Sequence, residues 1–229
     1  MPTDRTYALD NSDGPQEPTG RRFVVAITGA SGAWYAQRLI SAIVRSGHEV
    51  HLAVTDYGKR LLHDELNMTG LDVHALAGLP EGADLREHRV FVHPSKDMGA
   101  TIASGSFRHD GMIVMPCSSN TLGAAASGGG DKLVYRAMAV ALKERLPLIL
   151  CHRESPLNLI DIENMRTLTL AGAIIAPTNP AFYLGPKSMT DVVDFVVSRV
   201  LDLVHVKHEL SMRWEDHPLA SGGRDKASD

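Results

Sequence analysis

The sequence predicts one doubly wound α/β domain between about Arg22 and Val206, a mainly parallel sheet held between two layers of helices. Three observations predict it. Short, almost unbroken apolar runs recur along the chain, the mark of strands buried on both faces. Between them lie helix-length stretches whose apolar residues keep helical spacing. Strand and helix signals alternate, which favours parallel strands joined by crossover helices. In such a Rossmann-like three-layer sandwich, ligands bind outside the carboxyl ends of the strands, so the residues after each strand carry most weight.

The elements follow in order. Phe23 to Ile27 is a buried strand closed by Thr28-Gly29. Ala33 to Ser46 is a helix whose stripe is Ala36, Leu39, Ile40, Ile43 and Val44, with Gly47 as its C-cap. Val50 to Val54 is the second strand, and Thr55 or Asp56 caps a helix through Leu66. From Met68 to Gly105 the chain is rich in Gly, Pro, His and charge, and Arg89 to Val92 is its one strand candidate. Met112 to Met115 is the next strand, ended by Pro116. A helix over Asp131 to Arg145, a strand over Pro147 to Cys151, a helix over Asn158 to Ala171 and a strand over Ala173 to Ala176 follow. Met189 to Val206 is a long amphipathic helix.

A chain of 229 residues holds one sizeable core and is too short for two ordinary enzyme domains. Residues 21–206 are the single domain; residues 1–20, polar and with three prolines, read as a disordered extension, and 207–229 as a tail. The net charge of −4 offers no domain-wide basic field for nucleic acid. No apolar stretch approaches the roughly 18 residues of a membrane span, and no signal peptide precedes the domain. The two cysteines, Cys117 and Cys151, sit in or beside apolar runs and read as buried thiols of a reduced, cytoplasmic protein. Eleven histidines are scattered without ligand spacing, so no metal site is expected.

The first strand-to-helix turn, Gly29-Ala30-Ser31-Gly32, lets the backbone approach a phosphate at a helix N-terminus, while falling short of a dinucleotide fingerprint. An unliganded tight turn is the other reading of this motif. Ser118-Ser119-Asn120-Thr121 after the fourth strand offers hydroxyl and amide groups for a heterocycle or phosphate, and equally for capping the next helix. Arg136 and Lys143, seven residues apart, fall about 20° apart on one helix face. Arg153-Glu154 follows a strand directly, and Arg199 lies on the last helix. Local cations in an acidic chain fit an anionic substrate. Glu65 and Glu154 are the candidate acid–base carboxylates.

In order and spacing, the segments ITGASGA, ASGSF, MPCSSNTL, ALKERLPLILCHRESPL, PAFY, DFVVSRVLD and RW resemble the UbiX-type flavin prenyltransferases, from about Phe23 to Trp214. Trp34, just after the glycine turn, and Thr55-Asp56-Tyr57-Gly58 depart from the family pattern. The resemblance implies that Gly29, Ala30, Ser31, Thr55, Ser118, Ser119, Asn120, Thr121 and Arg153 bind FMN, whose reduced form is the substrate. It implies that Arg136, Lys143, Tyr183, Arg199 and Trp214, in the C-terminal tail, bind dimethylallyl monophosphate, and that Ser31, Glu65, Lys143 and Glu154 are catalytic. The implied reaction joins the dimethylallyl group to N5 and C6 of reduced FMN without a metal ion, and the prenylated flavin serves a UbiD-type decarboxylase. A homo-oligomer, a dodecamer by family habit, is implied as well. Two rivals share the glycine turn: an FMN-dependent cysteine decarboxylase, which needs a catalytic histidine and substrate clamp not identifiable here, and a non-catalytic flavin-binding subunit, which would lack the phosphate cluster.

Overall fold

The computed structural model describes residues 20–210. Of the extension expected over 1–20, residues 1–19 fall outside that range, as do residues 211–229 of the expected tail, Trp214 among them.

Six strands, β1 (Arg22–Ile27), β2 (Glu49–Val54), β3 (Val90–His93), β4 (Gly111–Cys117), β5 (Leu148–His152) and β6 (Ile174–Ile175), form one sheet in the order β3-β2-β1-β4-β5-β6. Every neighbouring pair is parallel, so the sheet is wholly rather than mainly parallel. Seven α-helices pack around it: α1 (Ala33–Arg45), α2 (Asp56–Leu66), α3 (Val73–Ala77), α4 (Ser119–Ser127), α5 (Leu133–Lys143), α6 (Leu159–Leu170) and α7 (Met189–Leu203).

Alternation along each strand builds two cores. Phe23, Val25 and Ile27 face α1 and α7, where Leu39, Ile40, Val197 and Leu201 are buried. Val24 and Ala26 face the other way, toward Leu133, Val134 and Met138 of α5 and Leu122 of α4. Each large apolar side chain so enclosed contributes about 1.5–3 kcal/mol over its exposed state. The chain's direction across the sheet reverses between β1 and β4, and that reversal opens a crevice at their carboxyl ends.

Pro116 does not end its strand: β4 runs on to Cys117. Pairing with β5 slips between Val114 and Cys117, so the missing proline N–H falls where no partner asks for it. Three elements lie where no element is expected from sequence. The small residues of α4 give no apolar periodicity; α3 and a 3-10 helix over Thr101–Ala103 are single turns inside the Gly- and charge-rich stretch. Thr55 rather than Asp56 caps α2, accepting from Gly58 N at 3.0 Å. Past the last helix, Lys207 to Leu210 fold back on α1, with Ser46 Oγ donating to Lys207 O at 3.1 Å.

Candidate active site

The crevice is built around Thr28, buried at the end of β1. Its hydroxyl donates to Pro116 O at 2.8 Å and accepts from Ser118 N at 3.0 Å, which ties the β1 turn to the start of α4. Gly32 adopts φ 137°, where a side chain would be strained, and turns the backbone into α1. A Cβ on Gly29 would lie 2.4 Å from Tyr57 Cβ, so glycine alone lets these loops meet.

Two hollows flank this turn. The first, about 370 Å³, is lined by Gly29, Thr55, Ser118, Asn120, Thr121 and Lys132, with Tyr57 and Tyr135 as aromatic walls. Its polar groups are neutral except for Lys132, whose Nζ is 3.8 Å from Asp56 Oδ2. Ser118 caps α4, its hydroxyl accepting from Thr121 N at 3.3 Å. Ser119 Oγ sits 3.2 Å from Nε2 of His152, a buried ring whose pKa burial lowers and which is therefore neutral.

The second hollow, about 330 Å³, holds Ser31, Gly32, Tyr35, Glu65, Arg153 and Thr178, with Trp34, Met189 and Val193 as apolar walls. Glu65 reaches over from α2 to the N-terminus of α1, where one carboxylate oxygen accepts from Gly32 N at 3.0 Å and Ala33 N at 2.8 Å. A negative group is stabilised there by free amides and by the helix dipole. The chain's own carboxylate thus occupies the amides that the glycine turn presents at the start of α1. Burial raises the pKa of the Tyr35 phenol, Arg153 acts against that and Glu65 adds to it, so Tyr35 stays protonated. Arg153 is exposed and, among the described residues, its guanidinium has no ion-pair partner. Glu154 lines neither hollow, its Oε1 accepting from Ser155 N at 3.1 Å.

The other basic residues expected at the site do not line either hollow. Arg136 Nε donates to Ala103 O at 3.1 Å, and Lys143 pairs with Glu144 beside Gly105. Both therefore share the α5 face that borders the Ala103–Phe107 segment, as their spacing predicts. Lys143 lies about 16 Å along α5 from its capping residue, Lys132. Arg199 is paired with Asp202 at 3.2 Å on an exposed face of α7. Tyr183 is on the loop before α7, its ring 6.0 Å from that of Phe195.

Sequence reasoning misses Thr28, Tyr35, Lys132, His152 and Thr178. His152 and Lys132 stand next to a strand end and a helix start, where position alone could have marked them; the others are recognisable only through contacts. Cys117 and Cys151 are free and fully buried, and burial pushes both thiols up, so neither is a nucleophile. Among the described residues, no group of three or more His, Cys, Asp or Glu is placed to hold a metal ion. No helix among them is long and apolar enough to cross a membrane.

Residues 11–201 match the Flavoprotein family model. A flavin prenyltransferase UbiX of Halalkalibacterium halodurans is 41% identical over 192 residues, 84% of this chain and 92% of that protein. The crystal structure of AnUbiX (PadA1) in complex with FMN and dimethylallyl pyrophosphate superposes with a TM-score of 0.76 at 40% identity, covering 85% of this chain and 97% of that one. A dodecameric FMN-dependent UbiX-like decarboxylase from Escherichia coli O157:H7 gives a TM-score of 0.73 at 39% identity, covering 84% and 98%. The chain thus belongs to the Flavoprotein family and, within it, to the UbiX-type flavin prenyltransferases.

Proposed function

We propose that this protein joins a dimethylallyl group from its monophosphate to N5 and C6 of reduced FMN, and that the product serves a UbiD-type decarboxylase. The observation that carries this reading is the pair of hollows across one glycine turn, one hydroxyl-rich with a single cation, Lys132, the other holding a carboxylate and a guanidinium. The similarity to flavin prenyltransferases, and to a structure whose ligands are FMN and dimethylallyl pyrophosphate, supports it.

The donor set of the first hollow suits FMN. Thr55, Ser118, Asn120 and Thr121 supply hydroxyl and amide groups and Gly29 a close-approaching backbone, Ser119 adds a hydroxyl held by neutral His152, and Ala30 and Ser31 carry the turn across to the second hollow. Arg153 lines the second hollow, from which its guanidinium would meet the flavin. Reduced FMN supplies an electron-rich ring that captures the allylic carbon.

Breaking the allylic C–O bond leaves its electron pair on phosphate. Arg136, Lys143, Arg199 and Tyr183, joined by Trp214, bind that phosphate and stabilise its growing charge. Bond formation at N5 releases one proton; closure at C6 takes a proton up at the alkene and gives one up from the ring, so only one is lost overall. Glu65 and Ser31 are the groups on the hollow that carry these protons, and Glu154 serves the phosphate. Trp34 and Tyr35 keep water from the allylic carbon.

Since Arg136 and Lys143 border a different part of the chain from Glu65 and Arg153, they complete the site of a neighbouring copy. Exposed apolar side chains on α6, Leu159, Ile160 and Ile162 among them, support a homo-oligomer, as does the dodecameric E. coli relative. The cytoplasm is the setting of this reading, supported by two buried, unpaired thiols.

Anaerobic incubation with reduced FMN and dimethylallyl monophosphate, followed by mass analysis of the released flavin, tests the reading. A flavin heavier by one C5 unit is expected. No such adduct, alongside CO2 released from a cysteine substrate, overturns it.

A further inference from the structure

Trp34 is the second residue of α1 and is 52% exposed, although tryptophan is the largest apolar side chain and is mostly buried on average. No packing among the described residues of this chain explains it, since the buried stripe of α1 runs through Ala33, Ala36, Leu39, Ile40 and Ile43. What Trp34 does border is empty space on more than one side. It walls the 330 Å³ hollow that contains Ser31, Glu65 and Arg153. It also walls a hollow of about 540 Å³, polar along Gln37, Asn67 and Asp72 and apolar along Leu66, Met68 and Ala75. Among the described residues, only Trp34 and Glu65 line both.

Glu65 is not free to move aside, because its carboxylate is fixed by the amides of Gly32 and Ala33. The division between the two spaces is therefore one pinned carboxylate and one indole. An indole is one rigid bicyclic plate on two torsions and keeps its shape, whereas Met, with three rotatable bonds, would yield to a longer ligand.

We infer that Trp34 sets the length of the allylic donor. Its ring ends the space open to the hydrocarbon chain, admitting a five-carbon group and stopping a ten-carbon one. Without the indole the two hollows join, and the added isoprene unit runs toward Met68 and Ala75. The inference rests on the reading that the Ser31–Glu65–Arg153 hollow receives the allylic phosphate. The chemistry of a ten-carbon donor is unchanged: the C–O pair leaves on phosphate, the N5 lone pair forms the new bond, and one proton is lost overall.

The test uses the full-length protein and its Trp34→Ala and Trp34→Leu variants, each incubated anaerobically with reduced FMN and equal amounts of dimethylallyl and geranyl monophosphate. Mass analysis reads the ratio of ten-carbon to five-carbon flavin adducts. That ratio rises by at least about tenfold in Trp34→Ala, with Trp34→Leu between, the scale on which apolar pockets discriminate by size. FMN binding reports folding, and the exposed position lets at least the leucine variant stand. An unchanged ratio in both variants, with the five-carbon adduct still formed by the unsubstituted protein, overturns the inference alone. If the unsubstituted protein forms no five-carbon adduct, the prenyl-transfer reading falls and the inference with it.

Discussion

The two hollows beside the glycine turn differ in kind. The one under Ser118 is lined by hydroxyls, an amide and aromatic rings, groups that keep one charge state across physiological pH. The one under Glu65 brings a carboxylate, a guanidinium and a phenol into one space, where protons and charge can move. Thr28 and Gly32 stand between them, so one turn serves both. The difference teaches that binding a flavin and acting on it are separate tasks here, and separate substitutions should expose each.

The largest expected effect is at Glu65. Glu65→Gln keeps one acceptor for the Gly32 and Ala33 amides and loses proton transfer, so turnover falls by roughly 10²–10⁴-fold. FMN affinity, followed by quenching of flavin fluorescence, stays unmoved; joint loss of both would erase the distinction between the hollows.

Next comes Lys143→Ala, for which we expect roughly 10²–10³-fold slower transfer from the loss of one phosphate-stabilising group. Mixed and reassembled with Glu65→Gln subunits, the two inactive variants restore activity above their separate sum. No restoration would mean that each copy builds its site alone.

Thr28→Val acts on the flavin side. It leaves Ser118 N without its buried acceptor, which costs about 1–3 kcal/mol. The melting temperature drops by a few degrees and FMN binds more weakly, while discrimination among allylic donors is unchanged. A variant that melts like the parent would show that the tie between β1 and α4 is dispensable.

The smallest effect is a drift with pH that favours neither hollow. On the sheet face away from α1, Glu49 bonds to His51, Arg22 and Arg89, and His51 Nδ1 lies 2.8 Å from His93 Nε2. Burial lowers His51 and His93, and takes His109 from 6.5 to about 4. A depressed folded-state pKa gives stability present above the unfolded value and lost as pH falls through the folded one. Melting temperature therefore declines from pH 6.5 toward 4. Glu49 extends the loss from 4.5 toward 2: burial alone would raise its carboxyl, but its hydrogen bonds together outweigh that. A flat melting profile over pH 6.5 to 4 would contradict the assignment to these histidines.

Legibility in the sequence followed one physical rule. Where burial on both faces demands an unbroken apolar run, as in Phe23 to Ile27 or Leu148 to Cys151, composition reveals the strand. Where an element is made of small polar residues, as in α4 with Ser119-Asn120-Thr121, its helicity comes from the Ser118 cap and from packing on α6 rather than from periodicity. Even so, the position of Ser118 to Thr121 just after a strand is legible from the apolar run that precedes it. Pro116 misled because proline is read as a strand breaker, and only the slipped register beside β5 shows why it is tolerated.

By itself the sequence determined the fold class, the carboxyl-edge position of the glycine turn and the identity of the charged groups, because strand burial and backbone freedom are local properties. Tertiary structure decided how those groups are shared out. Glu65 meets α1 across a gap of more than thirty residues in sequence, Thr28 binds Pro116 and Ser118 across some ninety, and Arg136 and Lys143 stay with the Ala103–Phe107 segment. Contacts between residues so far apart in sequence depend on how the helices pack across the sheet, and no run of neighbouring residues encodes that.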